Sequence, residues 1–217
     1  MTSHPRFALS TSLLALGLSF AIAIPALPFE YPLSTTTIRE AYMLGSRKDF
    51  KTAEFFTRYT HAFPKPERGA HIATIGVETP YGQVVEIGEA DLNTDTQGVE
   101  QQLIGKEFPF FVRVGVNLTD TYPGPPPWNP RGFAWPMPDF KRDFEIRVSQ
   151  DKQIFPESSQ VYLFTSDAVA NIFGISGALI ELQFNTEKID PGDDLTVSVH
   201  SPDDQTVETT FSLASLR

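Results

Sequence analysis

The strongest constraint on this chain is a two-residue period that returns along its length. From Phe110 to Leu118, the residues Phe110, Val112, Val114, Val116 and Leu118 share one side while Arg113 and Asn117 share the other. Ile180, Leu182 and Phe184 alternate with Glu181 and Gln183, and Leu195, Val197 and Val199 follow with the same period. Successive side chains of a strand point to opposite faces, so these runs read as strands with one buried and one wet face. Less regular runs at His71–Glu78, Gln83–Ile87, Phe144–Val148, Val161–Phe164 and Val207–Leu213 carry the same signature. Turn residues punctuate them at Thr79–Gly82, Asp190–Asp193 and Ser201–Asp204. About eight strands punctuated in this way predict a mainly β fold, an antiparallel β-sandwich over residues 69–217.

Before that domain the period lengthens. Thr37-Ile38-Arg39-Glu40 has the spacing of a capping box, Ile38, Ala41 and Tyr42 fall on one helical face, and Gly45 reads as a left-handed stop. A second helix starts near Asp49, where Phe55, Phe56, Tyr59, Ala62 and Phe63 gather into one stripe that Pro64 and Pro66 end. The two helices predict a hairpin over residues 35–63 packed on the sandwich. That stripe reads as core contact rather than as a ligand box. A short helix is expected through Val99 to Leu103. No repeat or Gly-Ser linker divides the chain, so hairpin and sandwich form one domain.

The first residues, MTSHPRFALSTSLLALGLSFAIAIPALP, place Arg6 before an apolar run and small residues after it. This layout predicts a secretory signal peptide over residues 1–23, with a retained membrane anchor as the alternative. No later segment is apolar enough to span a membrane. The chain has no cysteine, which removes disulfides, thiol catalysis and zinc–thiolate sites. An exported chain without disulfides fits a bacterial envelope or secreted protein, periplasmic or extracellular. Lysine and arginine number 17 against 27 acidic residues, a net charge of -10. Such a surface repels phosphate backbones, and nucleic acid is excluded as a partner.

Catalytic motifs are missing. Gly174-Ile175-Ser176-Gly177 is one residue short of a nucleophile elbow, and Ser149-Gln150-Asp151-Lys152 lacks its companion motifs and sits at a strand end. His61, His71 and His200 lack ligand spacing. No cofactor is expected beyond a weak calcium candidate at Asp190, Asp193 and Asp194, because Asp203 and Asp204 lie at the far end of the intervening strand. Glu86, Glu89, Asp91, Glu145 and Glu181 could supply paired carboxylates for a hydrolase, and most of them read as wet-face residues of strands.

Residues 121–139 hold seven of the eighteen prolines and both tryptophans. A loop this long is functional or disordered, and disorder avoids such rings. Tyr122, Trp128, Arg131, Phe133 and Trp135 are therefore the candidate ligand-binding residues. The loop is a platform for a glycan or an envelope protein, a lid over the sandwich, or a mobile segment.

Ile38-Arg39-Glu40-Ala41-Tyr42-Met43-Leu44-Gly45, the turn Thr79-Pro80-Tyr81 with Val84-Val85, and Phe211-Ser212-Leu213 through Leu216-Arg217 resemble a family of exported bacterial proteins without assigned activity. The resemblance implies a secreted β-rich fold and carries over no catalytic residue. The expected function is that of an exported, non-catalytic β-sandwich protein of a bacterial envelope with a binding or structural role. The alternative is a secreted carbohydrate-active hydrolase using strand-borne carboxylates.

Overall fold

A computed structural model of the chain describes residues 29–91, 96–122, 139–166 and 174–217. Residues 1–28, with the expected signal peptide, and most of the proline-rich loop lie outside the described residues. In chain order the elements are α1 (Thr35–Ser46), α2 (Phe50–Thr57), β1 (Thr60–Ala62), β2 (His71–Glu78), α3 (Pro80–Ala90), α4 (Thr96–Leu103), β3 (Phe110–Asn117), α5 (Phe140–Asp143), β4 (Glu145–Ser149), β5 (Gln153–Ile154), β6 (Ser158–Ser166), β7 (Gly174–Phe184), β8 (Asp194–His200) and β9 (Thr206–Ser212). The chain is mainly β, with two antiparallel sheets ordered β1-β2-β3-β7-β6 and β5-β4-β8-β9. No helix among the described residues is long and apolar enough to cross a membrane.

The alternating residues face inward as expected. Val112 and Val114 of β3, Ile180 and Leu182 of β7, and Leu195, Val197 and Val199 of β8 belong to one buried cluster drawn from both sheets. Burying each such side chain contributes about 1.5–3 kcal/mol. In β2, the register slips between Ile72 and Thr74, which lets Ile72 and Ile75 both enter the core although they are three residues apart.

Gln83–Ile87 is not a strand but the middle of α3. Thr79 caps this helix by accepting from Gly82 N at 3.1 Å, and Pro80 sits in its first turn. Tyr81, Val84, Val85 and Gly88 then form a buried stripe at i, i+3, i+4 and i+7. The same spacing recurs in α1 as Ile38, Ala41, Tyr42 and Gly45, and the two stripes face each other. Gly45 is therefore not a left-handed stop. A Cβ there would strike the Val85 carbonyl oxygen, and one on Gly88 would strike that of Tyr42, so the two glycines let the backbones touch. The cap of α1 is Ser34, which accepts from Thr37 N at 3.2 Å, rather than the box expected at Thr37.

The main partner of α1 is thus α3 and not α2. Helix α2 stops at Thr57, and Thr60–Ala62 pairs with β2 as edge strand β1, so the helical stretch does not reach residue 63. Of the aromatic stripe, Tyr59 is buried, while Phe55 packs edge to face with Phe56 and tilts against Tyr59 and Tyr81. Phe55 joins the helical cluster to the sheet core.

Candidate functional site

Facing residues form rows across the five-stranded sheet. On the face away from the shared core, one row runs Thr60, Gly76, Arg113, Glu181, Gln160. Arg113 is the cation of that row, and each nitrogen of its guanidinium meets a different carboxylate. Nε lies 2.8 Å from Glu181 Oε2, Nη1 lies 2.9 Å from Glu86 Oε1, and Nη2 lies 2.7 Å from Glu78 Oε2. The fork geometry of Arg suits this task better than a lysine point charge. Glu78 ends β2, Glu86 comes from α3 and Glu181 from β7, so four elements meet at one group.

Glu78 is only 4 % exposed. The Arg113 contact is off the line of a good hydrogen bond, and neither Glu78 oxygen has a hydrogen-bond partner among the described residues. Burial is the first cause that raises its pKa, the Glu86 charge is the second, and together they push it up to about 9 against the pull of Arg113. The orphaned oxygens and the raised pKa have one explanation. Two carboxylates cannot bond to each other, whereas a neutral Glu78 can donate to Glu86, and the Glu86 contact accordingly favours the protonated form. The apparent value belongs to the pair. Burial works against the Arg113 charge, and the surrounding carboxylates outweigh it, so its pKa is raised.

This cluster closes one end of a cavity of about 170 Å³. Thr60, Thr74 and Gly76 line it from the sheet, and Phe56, Tyr59 and Leu179 supply apolar wall. The Tyr59 hydroxyl donates to the Arg217 carbonyl oxygen at 2.6 Å, and burial pushes its pKa up to about 12. A second cleft of about 340 Å³ lies between Tyr31, Glu107, Glu157 and Glu187, where Lys188 already meets Glu157 at 3.4 Å. It holds no buried unpartnered polar group among the described residues.

Of the residues expected to bind ligand, Tyr122 alone is described. It is half-buried, with its ring edge-on to Phe144 at 6.2 Å, and its backbone bonds Thr119 in both directions. Trp128, Arg131, Phe133 and Trp135 lie outside the described residues. Asp190 accepts from Gly192 N at 2.8 Å inside its own turn, and among the described residues no three acidic or histidine side chains group to hold a metal ion. Of the five candidate carboxylates, Glu86 and Glu181 come together. Asp91 instead accepts from the Tyr42 hydroxyl at 2.7 Å, and Glu145 pairs with Arg147 at 2.7 Å. Two corrections follow. Glu86 stands on a helix, and the Glu181 side chain is 11 % exposed rather than wet. Glu78 was missed because the end of a strand beside a turn normally meets water. The usable signal was Arg113, a lone charge in an apolar strand.

No protein-family model matches the chain, and no curated protein matches it.

Proposed function

We propose that the chain is an exported, non-catalytic β-sandwich protein of a bacterial envelope that works by binding, and that its ligand site is the cavity beside Glu78. The observation that carries this reading is a buried carboxyl that touches Arg113 yet has no hydrogen-bond partner among the described residues, lining an open space. The cavity is smaller than the ~300–1,000 Å³ that drug-sized ligands occupy. It suits one functional group at the end of a chain. Three carboxyl groups face one guanidinium, and the proton on Glu78 acts as the missing cation. A primary ammonium can take that proton's place with no change in net charge, while its alkyl stem lies along Phe56, Tyr59 and Leu179. The ligand class is therefore an alkylammonium. The charge of -10 draws such cations to the surface.

Calorimetric titration with n-butylammonium chloride, against n-butanol as neutral control, tests this reading. Saturable heat is expected for the ammonium alone, and Glu78→Gln is expected to remove it. Repeating the titration at pH 7 in buffers of different ionisation enthalpy should show close to one proton released per ligand bound. Equal behaviour of ammonium and alcohol would sink the reading.

The hydrolase reading keeps one supporting observation. A proton-bearing carboxyl beside a carboxylate is the pairing that glycoside hydrolysis uses. It requires turnover of a saccharide that Glu78→Gln abolishes in a protein that still folds.

A further inference from the structure

The five-stranded sheet ends at β6, a strand of nine residues that pairs with β7 along one side. No strand among the described residues pairs with its other side. At ~3.4 Å per residue this edge runs for about 30 Å. Proteins guard such edges with charges, prolines or shortness, because the unpaired N–H and C=O groups template further pairing. The sequence of β6, SSQVYLFTS, contains none of Asp, Glu, Lys, Arg or Pro. Its centre is also apolar and open, with Tyr162 47 % exposed, Leu163 44 % and Phe164 40 %. Both faces contribute. Tyr162 lies across from Leu179, and Leu163 lies across from Ala178 on the opposite face.

We infer that β6 is a dimerisation edge, and that a second copy of this chain pairs with it antiparallel about a two-fold axis at Tyr162. The sequence itself names the occupant. A two-fold interface must be complementary to itself, so residue i must suit residue j and the reverse. Centred on Tyr162, the pairing sets Ser158 against Ser166, Ser159 against Thr165 and Val161 against Leu163, with Tyr162 against its own copy. Polar ends meet polar ends, the apolar middle meets itself, and no charge within the strand meets its like. Gln160 against Phe164 is the one mixed pair. An unrelated partner strand would have no need of this symmetry. The product is a continuous sheet of ten strands, five from each copy.

The absence of cysteine makes the test clean. Sedimentation velocity on the full-length protein should give twice the protomer mass. Tyr162→Lys places two like charges on the axis and should return the protein to a monomer, with its circular dichroism unchanged because the side chain is exposed. Tyr162→Cys should form a disulfide-linked dimer on mild oxidation, because directly opposed residues bring their Cβ atoms to ~4.5–5.5 Å. Phe155→Ser, outside the strand, should leave the dimer intact. A monomer at every concentration would overturn the inference. So would a dimer that survives Tyr162→Lys, or a Tyr162→Cys dimer that does not crosslink.

Discussion

Glu78 and Arg113 carry opposite lessons about burying charge. Arg113 is taken from water and compensated by the carboxylates of Glu86 and Glu181, with Glu78 as a third carboxyl beside it. Removing it strands those groups, so Arg113→Met should lower stability by about 3 kcal/mol, read from the urea midpoint. Glu78 is compensated by holding a proton. Its pKa rises from 4.5 to about 9 on folding, so between those values the folded chain keeps a proton that the unfolded chain has lost. Stability must then fall as pH rises through that window, by at most about 1.4 kcal/mol per pH unit. Glu78→Gln, which keeps a donor without the titration, should flatten that slope and make the protein more stable at pH 8 than its parent. A slope that persists in the variant would assign it to other groups. Ammonium binding competes with the same proton, so affinity should climb with pH toward 9. Little of this was legible beforehand. Arg113 stood out as a charge in an apolar strand, but its partners lie 35, 27 and 68 residues away by number, and only the pairing of β2, β3 and β7, with α3 beside β2, brings them together.

At the scale of elements, strict alternation proved a sound guide, and mixed patterns did not. Phe110–Leu118, Ile180–Phe184 and Leu195–Val199 form strands with the faces expected. Gln83–Ile87 has adjacent apolar residues, Val84 and Val85, that suit i, i+3, i+4 spacing from Tyr81 better than a period of two. Reading Thr79-Pro80 as a helix start instead of a turn would have found α3, since a capping threonine followed by proline is a start signal. The glycines of α1 and α3 looked like punctuation because sequence alone does not show a facing backbone. Gly88→Ala should cost about 1–3 kcal/mol by forcing the two helices apart, measured by thermal unfolding, and Gly45→Ala should cost a similar amount. Alanine is the better helix former in isolation, so a neutral or stabilising outcome would refute the close helix contact.

For the whole molecule, the two sheets share one core, and the helices are tied to it through Phe55 and through Arg217. Arg217 takes a hydrogen bond from Thr79 at its carbonyl, reaches Glu40 at 2.8 Å, and lies 4.8 Å above the Tyr81 ring. The molecule should therefore unfold as one unit. Phe184→Ala in one sheet and Leu195→Ala in the other should each cost about 2–5 kcal/mol and lower the same single transition. Two separable transitions would mean that the sheets are independent. The claim on which the binding account rests is that Glu78 is a neutral acid at pH 7. Carbonyl-edited carbon NMR of the glutamate side chains, followed from pH 5 to 10 with Glu78→Gln as the assignment, tests it directly. The account predicts one carboxyl that titrates near 9 and shifts downward in pH when n-butylammonium is added. If every glutamate carboxyl titrates below pH 6, the proton is absent and the cavity has no cation to exchange.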